Sequence, residues 1–322
     1  MFENNSPWIK QLNRTRPIEP LDQNIDTEVV IIGGGIAGVT SAYFILTQTN
    51  KKVLLIEANK IAHGATGHNA GQITSYFEKP FTEIVAAYGL HRAAQAQRAI
   101  EEDARGLLEH IYSHAQLSTP RSEFMGYEGL ATLAHVLEIL QELAVKAEAG
   151  LRIRHLLVAR EWDEHRLIPA QFAGLYSLVS QKNIFSLLET ENNIYIAAAP
   201  FLSGCMNSAL FSEELVGFLL ITYKDRFMLR EHTPVSAIAL ERDEVVLSAG
   251  TNTISCEQVL LCTNGFESVQ ITNNAGGDID GKFHMTVEGV VGYMGAYKES
   301  LTKQPFAACY ANPLYTTNRE YY

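Results

Sequence analysis

Between Glu28 and Glu57 the chain reads EVVIIGGGIAGVTSAYFILTQTNKKVLLIE, an apolar strand, a glycine turn, a helix, a second apolar strand and a terminal acid in unbroken order. No other feature limits the fold so strongly. Val29 to Ile32 is a β-branched run suited to a strand buried on both faces of a parallel sheet. Gly33, Gly35 and Gly38 follow with G-x-G-x-x-G spacing, around Ile36 and Ala37. In such a turn the first glycine permits the tight bend, the second lets backbone approach a pyrophosphate, and the third lets the helix pack close to the strand. The pyrophosphate would rest on the helix N-terminus, where unpaired N–H groups and the helix dipole favour anions. Val53 to Ile56 supplies the second strand, and Glu57, nineteen residues after Gly38, is placed to accept hydrogen bonds from ribose hydroxyls, with Ala58 beside it. A glycine-rich turn in an ordinary α/β domain does not explain that acid. The unit reads as dinucleotide-binding.

At 322 residues the chain suits two domains of ordinary size. A net charge of −11 argues against a nucleic-acid partner, which needs clustered Lys and Arg to neutralise phosphate. The longest apolar stretch, Leu215 to Ile221, is far short of the ~20 residues that span a bilayer. The N-terminus lacks the apolar core of a secretory signal, so a cytoplasmic location is expected. Cys205, Cys256, Cys262 and Cys309 have no C-x-x-C spacing and read as reduced, mostly buried thiols, which disfavours a redox-active dithiol. His110 and His114 lie four apart on an expected helix without a third ligand nearby, so they read as surface residues and no metal site is expected.

Residues 1–26 read as an extended arm, with Pro7, Pro17 and Pro20 blocking regular structure and Trp8 and Ile9 pinning it to the body. Helix is expected from 80 to about 114 and from 134 to 149, the latter stopping at Gly150, with a strand from 124 to 133 between them. Strand character at 231–240, 245–248 and 258–262 implies a discontinuous nucleotide domain with a second domain inserted into it. The expected fold class is therefore α/β: a Rossmann-like dinucleotide-binding domain (27–118 and 206–272) with an inserted α+β substrate domain (119–205 and 273–322).

Ala62 to Gln72, AHGATGHNAGQ, has three glycines and is too irregular for helix or strand, which suggests a loop wrapping the same cofactor. Here the chain resembles the D-amino-acid oxidase superfamily of flavoproteins, especially its glycine oxidase and γ-glutamylputrescine oxidase branch. The resemblance rests on EVVIIGGGIAG, on LLIEANKIAHGATGHNAGQI, on TPVSAI at 233–238 and on VLLCTNGF at 259–266. It implies FAD as the cofactor, with the Gly33–Gly38 turn on its pyrophosphate and Glu57 on its ribose. Ala65, Thr66, Ala70, Gly71 and Gln72 match the loop that runs along the diphosphate and flavin ring, and Val235 matches the position whose backbone meets the adenine. In sarcosine and dimethylglycine dehydrogenase relatives a similar loop carries a histidine bonded covalently to the flavin, and His68 falls near it. The glycines and Asn69 suit ordinary backbone wrapping, so non-covalent attachment is expected. Tyr310, Tyr315, Tyr321 and Tyr322 are candidates for either packing or a substrate site.

The resemblance also implies, beyond the closing PLYTTNREYY, a strand with a substrate-pairing arginine and a glycine-rich segment closing over the flavin. Neither is present, so the expectation is the front portion of a longer flavoprotein, completed by a further segment or a second polypeptide. The leading expectation for function is FAD-dependent oxidation of a C–N bond of a small amine or amino acid, with hydride passing to the flavin and no catalytic side chain named. An NAD(P)-dependent dehydrogenase and a non-catalytic flavin-binding subunit completed by another chain are the alternatives.

Overall fold

The computed structural model describes residues 6–74, 77, 79–264, 269–276 and 308–310. They fall into two compact units, one drawn from within Met1–Gly71, Tyr112–Pro120 and Met206–Lys298, the other from within Gln72–Ile111, Arg121–Cys205 and Glu299–Tyr322.

The first unit is built on β1 (Ile25–Ile32), α2 (Ile36–Gln48) and β2 (Val53–Ile56), preceded by a short α1 (Pro7–Lys10). Further along come α8 (Ser208–Thr222), β7 (Phe227–Arg230), β8 (Ala237–Leu240), β9 (Val245–Ala249), β10 (Asn252–Leu261) and β11 (Gln270–Asn273). Its sheet has the order β11-β8-β9-β10-β1-β2-β7. The strands β10, β1, β2 and β7 run parallel, with Val29 opposite Gln258 on one side and Val53 on the other. Strands buried on both faces must be apolar at every position, and β2 accordingly reads VLLI with all four residues buried. Val30, Ile32, Leu54 and Ile56 fill a core with Ile238, Leu247 and Ile254 on one face, while Ile31, which alternation points the other way, lies under Gly38 of α2. Each such fully buried side chain contributes roughly 1.5–3 kcal/mol.

The second unit holds α3 (Phe81–Tyr88), α4 (Leu90–Arg98), β3 (Arg121–Leu130), α6 (Leu133–Glu148), β4 (Leu156–Ala159), β5 (Tyr176–Val179), α7 (Gln181–Leu188), β6 (Ala197–Met206) and β12 (Ala308–Tyr310). The sheet order is β12-β3-β6-β4-β5. Helix α6 packs Val136, Ile139 and Leu140 onto Leu130, Leu156 and Val158, and α7 packs Ile184 and Leu188 against Ala159 and Ala198.

Several expectations need correction. The N-terminal arm is not wholly irregular, because Pro7 sits in the first turn of α1, where its missing N–H costs nothing, and the Ser6 hydroxyl caps the Ile9 N–H at 3.4 Å. The helical stretch from 80 to 114 is interrupted: Gly89, at φ +81°, turns α3 into α4, and a π turn at Ala99–Asp103 precedes α5 (Ala104–Ala115). Residues 72–111, expected in the first domain, belong to the second unit, because Phe81, Ala93 and Ala94 form a core with Leu151. The strand expected at 231–240 begins only at Ala237, since Glu231 turns inward to an ion pair and His232 takes φ +51°. Helix α6 ends as expected, with Gly150 at φ +65°. Tyr315, Tyr321 and Tyr322 lie outside the described residues, as do most of residues 273–322.

Candidate functional site

The carboxyl ends of β1, β2, β7 and β10 converge where β1 meets neighbours on either side, and in open α/β sheets ligands bind outside such strand ends. Gly33 follows β1 at φ +109°, and a Cβ there would lie 2.3 Å from the Cys262 carbonyl oxygen at the end of β10. Only glycine fits. A Cβ on Gly38 would fall 1.9 Å from the Gly33 carbonyl oxygen, so the first turn of α2 lies directly on the loop that precedes it. Gly35 is the N-cap of α2 and offers no side chain of its own. Thr66 supplies one from another segment: its Oγ1 accepts the Ile36 N–H at 2.9 Å and lies 2.9 Å from where a Gly35 Cβ would stand. Ala37 is exposed and Gly38 buried in that turn, whose first N–H groups have no acceptor within the helix. Together these features make a backbone cradle for an anion.

Glu57 follows β2. Its Oε2 accepts the Gly34 N–H at 2.7 Å and its Oε1 the Asn59 N–H at 2.8 Å, with Ala58 exposed between. A carboxylate has about four acceptor positions, so each oxygen keeps capacity for a hydroxyl. The segment carrying Val235 is tied to the same turn, since Thr233 N–H donates to the Glu57 carbonyl at 3.0 Å and His232 N–H to that of Asn59 at 2.8 Å. Val235 itself packs on the core of β1 and β2.

The loop from Ala62 to Gly71 is held by both backbone and side-chain hydrogen bonds. Ala62 holds φ +61° and donates its N–H to the Gly34 carbonyl at 2.9 Å. Ala65–Gly67 forms one 3-10 turn, burying Thr66 and leaving Ala65 exposed. Asn69 is the loop's internal brace, donating through Nδ2 to the carbonyls of Ala65 (3.0 Å) and Thr66 (2.8 Å) and accepting the Gly71 N–H at 2.6 Å. Its neighbour Ser208, in the first turn of α8, donates to the Thr66 carbonyl at 2.6 Å. His68 is exposed, with Nδ1 2.9 Å from the Gly64 carbonyl oxygen, and Ala70 is exposed as well. Gly71 takes φ +68°. Gln72 belongs to the second unit, bridged to Cys205 there.

Gly33, Gly35, Ile36, Ala37, Gly38, Glu57, Ala58, Thr66 and Val235 thus gather around the ends of β1 and β2, with Ala65, His68, Ala70 and Gly71 on the loop that continues from Thr66. Sequence reasoning did not anticipate Glu231, whose buried carboxylate accepts the Ile61 N–H at 2.7 Å and pairs with Arg16. Burial alone would raise its pKa, but hydrogen bonds from Arg16 and Ile61 and the charges of both arginines outweigh it and lower the value. Burial acts the other way on a base and lowers the His63 pKa, aided by Arg14. Burial pushes the Cys256 thiol up to about 11 and raises Cys262, so both stay protonated at neutral pH. Cavities of about 510 and 440 Å³ lie in the second unit, beside Ile84 and Arg92 and beside Arg105 and Arg121. Among the described residues no group of His, Cys, Asp and Glu could hold a metal, and no helix is long and apolar enough to cross a membrane.

The profile of DAO, FAD dependent oxidoreductase, matches residues 28–199. The chain is 28% identical over 106 residues to γ-glutamylputrescine oxidoreductase of Escherichia coli, covering 33% of this chain and 25% of that one. Glycine oxidase of Geobacillus kaustophilus superposes with a TM-score of 0.53 at 13% identity over 75% of this chain and 56% of its own. L-α-glycerophosphate oxidase of Mycoplasma pneumoniae, solved with FAD bound, does so with a TM-score of 0.51 at 16% identity, over 73% and 53%. These superpositions show a shared fold. The chain spans about half the length of those two solved structures and a quarter or less of the curated relatives it matches.

Proposed function

The chain belongs to the DAO family of FAD dependent oxidoreductases, and from that premise we propose that it oxidises a C–N bond of a small amine or amino acid. What carries the reading is the cradle: glycines at 33, 35 and 38 that no side chain could replace without meeting Cys262, Thr66 or Gly33, with the Glu57 carboxylate at the end of the next strand. The names of an oxidoreductase of γ-glutamylputrescine and an oxidase of glycine among the similar proteins support the substrate class.

In this reading the Gly33–Gly38 turn and the Thr66 hydroxyl hold the FAD pyrophosphate, Glu57 takes the adenosine ribose, the Val235 backbone lies by the adenine, and residues 65–72 follow the diphosphate toward the ring. The flavin, when bound, supplies the acceptor for hydride leaving the carbon next to nitrogen. The protein's share is to bind, orient and exclude water, which asks no acid–base pair of it. The nicotinamide alternative is not carried forward, because the family is FAD-dependent and the loop from Ala62 answers to FAD. Anaerobic addition of a panel of small amines and amino acids to the FAD-loaded protein tests the proposal. Bleaching of the flavin bands by members of that panel supports it; bands that dithionite bleaches but no amine or amino acid does would overturn it.

A further inference from the structure

We propose that residues 6–16 form a strap that sets the shape of the FAD-binding loop, with Trp8 its positioning residue. The inference rests on the FAD reading and adds residues that the nucleotide motif does not contain.

The strap grips the loop at both ends. At the start, both backbone groups of Ile61 are held: its N–H by Glu231 at 2.7 Å, its carbonyl by Arg14. Arg14 and Arg16 reach Glu213 of α8 at 3.1 and 2.6 Å, and Arg16 also pairs with Glu231, whose side chain is fully buried. At the far end, the Ser6 hydroxyl donates to the Gly67 carbonyl and the Trp8 indole N–H to that of Asn69 at 2.6 Å. The Trp8 ring covers Gly71 so closely that an added Cβ would lie 2.7 Å from it, and Ile9 covers Gly67 in the same way. Asn207, the N-cap of α8, holds the Trp8 carbonyl through Nδ2 at 3.1 Å.

Between these grips stand Thr66, which reaches the helix cradle, and Asn69, which braces the loop. The loop has glycines at 64, 67 and 71 and one non-glycine residue, Ala62, in the left-handed region, so its own sequence favours many conformations. A loop already in its bound shape loses less entropy when ligand arrives. Trp8 therefore acts on FAD binding through Asn69 and Gly71.

The test compares wild type, Trp8→Ala, Trp8→Phe and Phe172→Leu. The last thins the core of the second unit, where Phe172 is buried, and serves as a control for general destabilisation. Two quantities are read: deuterium uptake of residues 61–72 in the FAD-free protein, and the FAD Kd by flavin fluorescence. Trp8→Ala should speed exchange in that segment and weaken FAD roughly tenfold, while Trp8→Phe, which keeps the ring over Gly71 but loses the indole donor, should fall between it and wild type. Phe172→Leu should lower the melting temperature and leave both readings unchanged. Unchanged exchange and Kd in both Trp8 variants would overturn the strap, as would equal changes in Phe172→Leu. Should Trp8→Ala not fold, Trp8→Phe decides alone by the same criteria. If wild type binds no FAD, the cofactor reading fails, and the exchange of residues 61–72 still decides whether the strap orders the loop.

Discussion

The Thr66 hydroxyl oxygen lies 2.9 Å from the Ile36 backbone nitrogen, thirty residues earlier in the chain, and so caps a helix whose own N-cap is a glycine. With the bond from the Ala62 N–H to the Gly34 carbonyl at 2.9 Å, it joins the loop to the cradle.

Thr66→Val should break that bond, release the loop from the first turn of α2 and remove the hydroxyl assigned to the pyrophosphate. A lost hydrogen bond of this kind costs about 0.5–1.5 kcal/mol, so FAD binding should weaken several-fold. Thr66→Ser, which keeps the hydroxyl, should bind as wild type does. Titration of both variants by fluorescence checks it, and equal affinities would count against a role for the hydroxyl.

Gly35→Val should abolish flavin retention with little effect on the fold, because the new side chain projects toward Thr66 and the phosphate approach. Gly33→Ala should instead damage the fold: a Cβ at φ +109°, 2.3 Å from the Cys262 carbonyl oxygen, forces backbone to shift. We expect about 2 kcal/mol or more of lost stability in thermal unfolding.

Replacing Glu57 by alanine removes an acceptor for ribose hydroxyls and also the partner of the Gly34 and Asn59 N–H groups. Charged-acceptor bonds are worth about 1.5–3 kcal/mol, so FAD should bind at least tenfold more weakly. Isothermal titration reads this directly. Glu57→Gln, retaining an acceptor oxygen, should recover part of the loss.

The depressed pKa of Glu231 makes the strap sensitive to acid. A carboxylate whose folded pKa lies below its unfolded value gives stability that is present above the unfolded value, ordinarily 4.5, and lost as pH falls through the folded one. Melting temperature should thus hold steady near neutrality and decline below the ordinary carboxylate range. Glu214, lowered by hydrogen bonds from Ser118 and Thr119 that outweigh its burial, acts in the same direction. Glu231→Gln should flatten the acid decline; an unchanged profile would show that the Arg16 pair does not contribute.

How much of this was legible in the sequence follows from how far apart the partners are. The places of Gly33, Gly35, Gly38 and Glu57 could be read because they are set locally, by a turn, a helix packed on it and the end of the next strand within one strand–helix–strand unit. The bond from Trp8 to Asn69 joins residues 61 apart, and that from Arg16 to Glu231 joins residues 215 apart, so neither leaves a pattern in the sequence. The arm looked irregular because prolines mark it, yet Pro7 begins a helix. Residues 81–111 looked like part of the nucleotide domain because they follow its loop, but the apolar face of Phe81 and Ala93 finds its partner in Leu151. Ala62 gave no sign of its left-handed backbone, since alanine carries no such preference.

The measurement that bears most directly on the account is the visible spectrum of the purified protein after loading with FAD and gel filtration, followed by acid precipitation. The account predicts one flavin per chain retained through filtration and released to the supernatant by acid, His68 holding it by no covalent bond. Protein that emerges colourless, or that binds NADP tightly in its place, would contradict the assignment of this cradle to FAD, and colour that stays with the pellet would contradict the role given to His68.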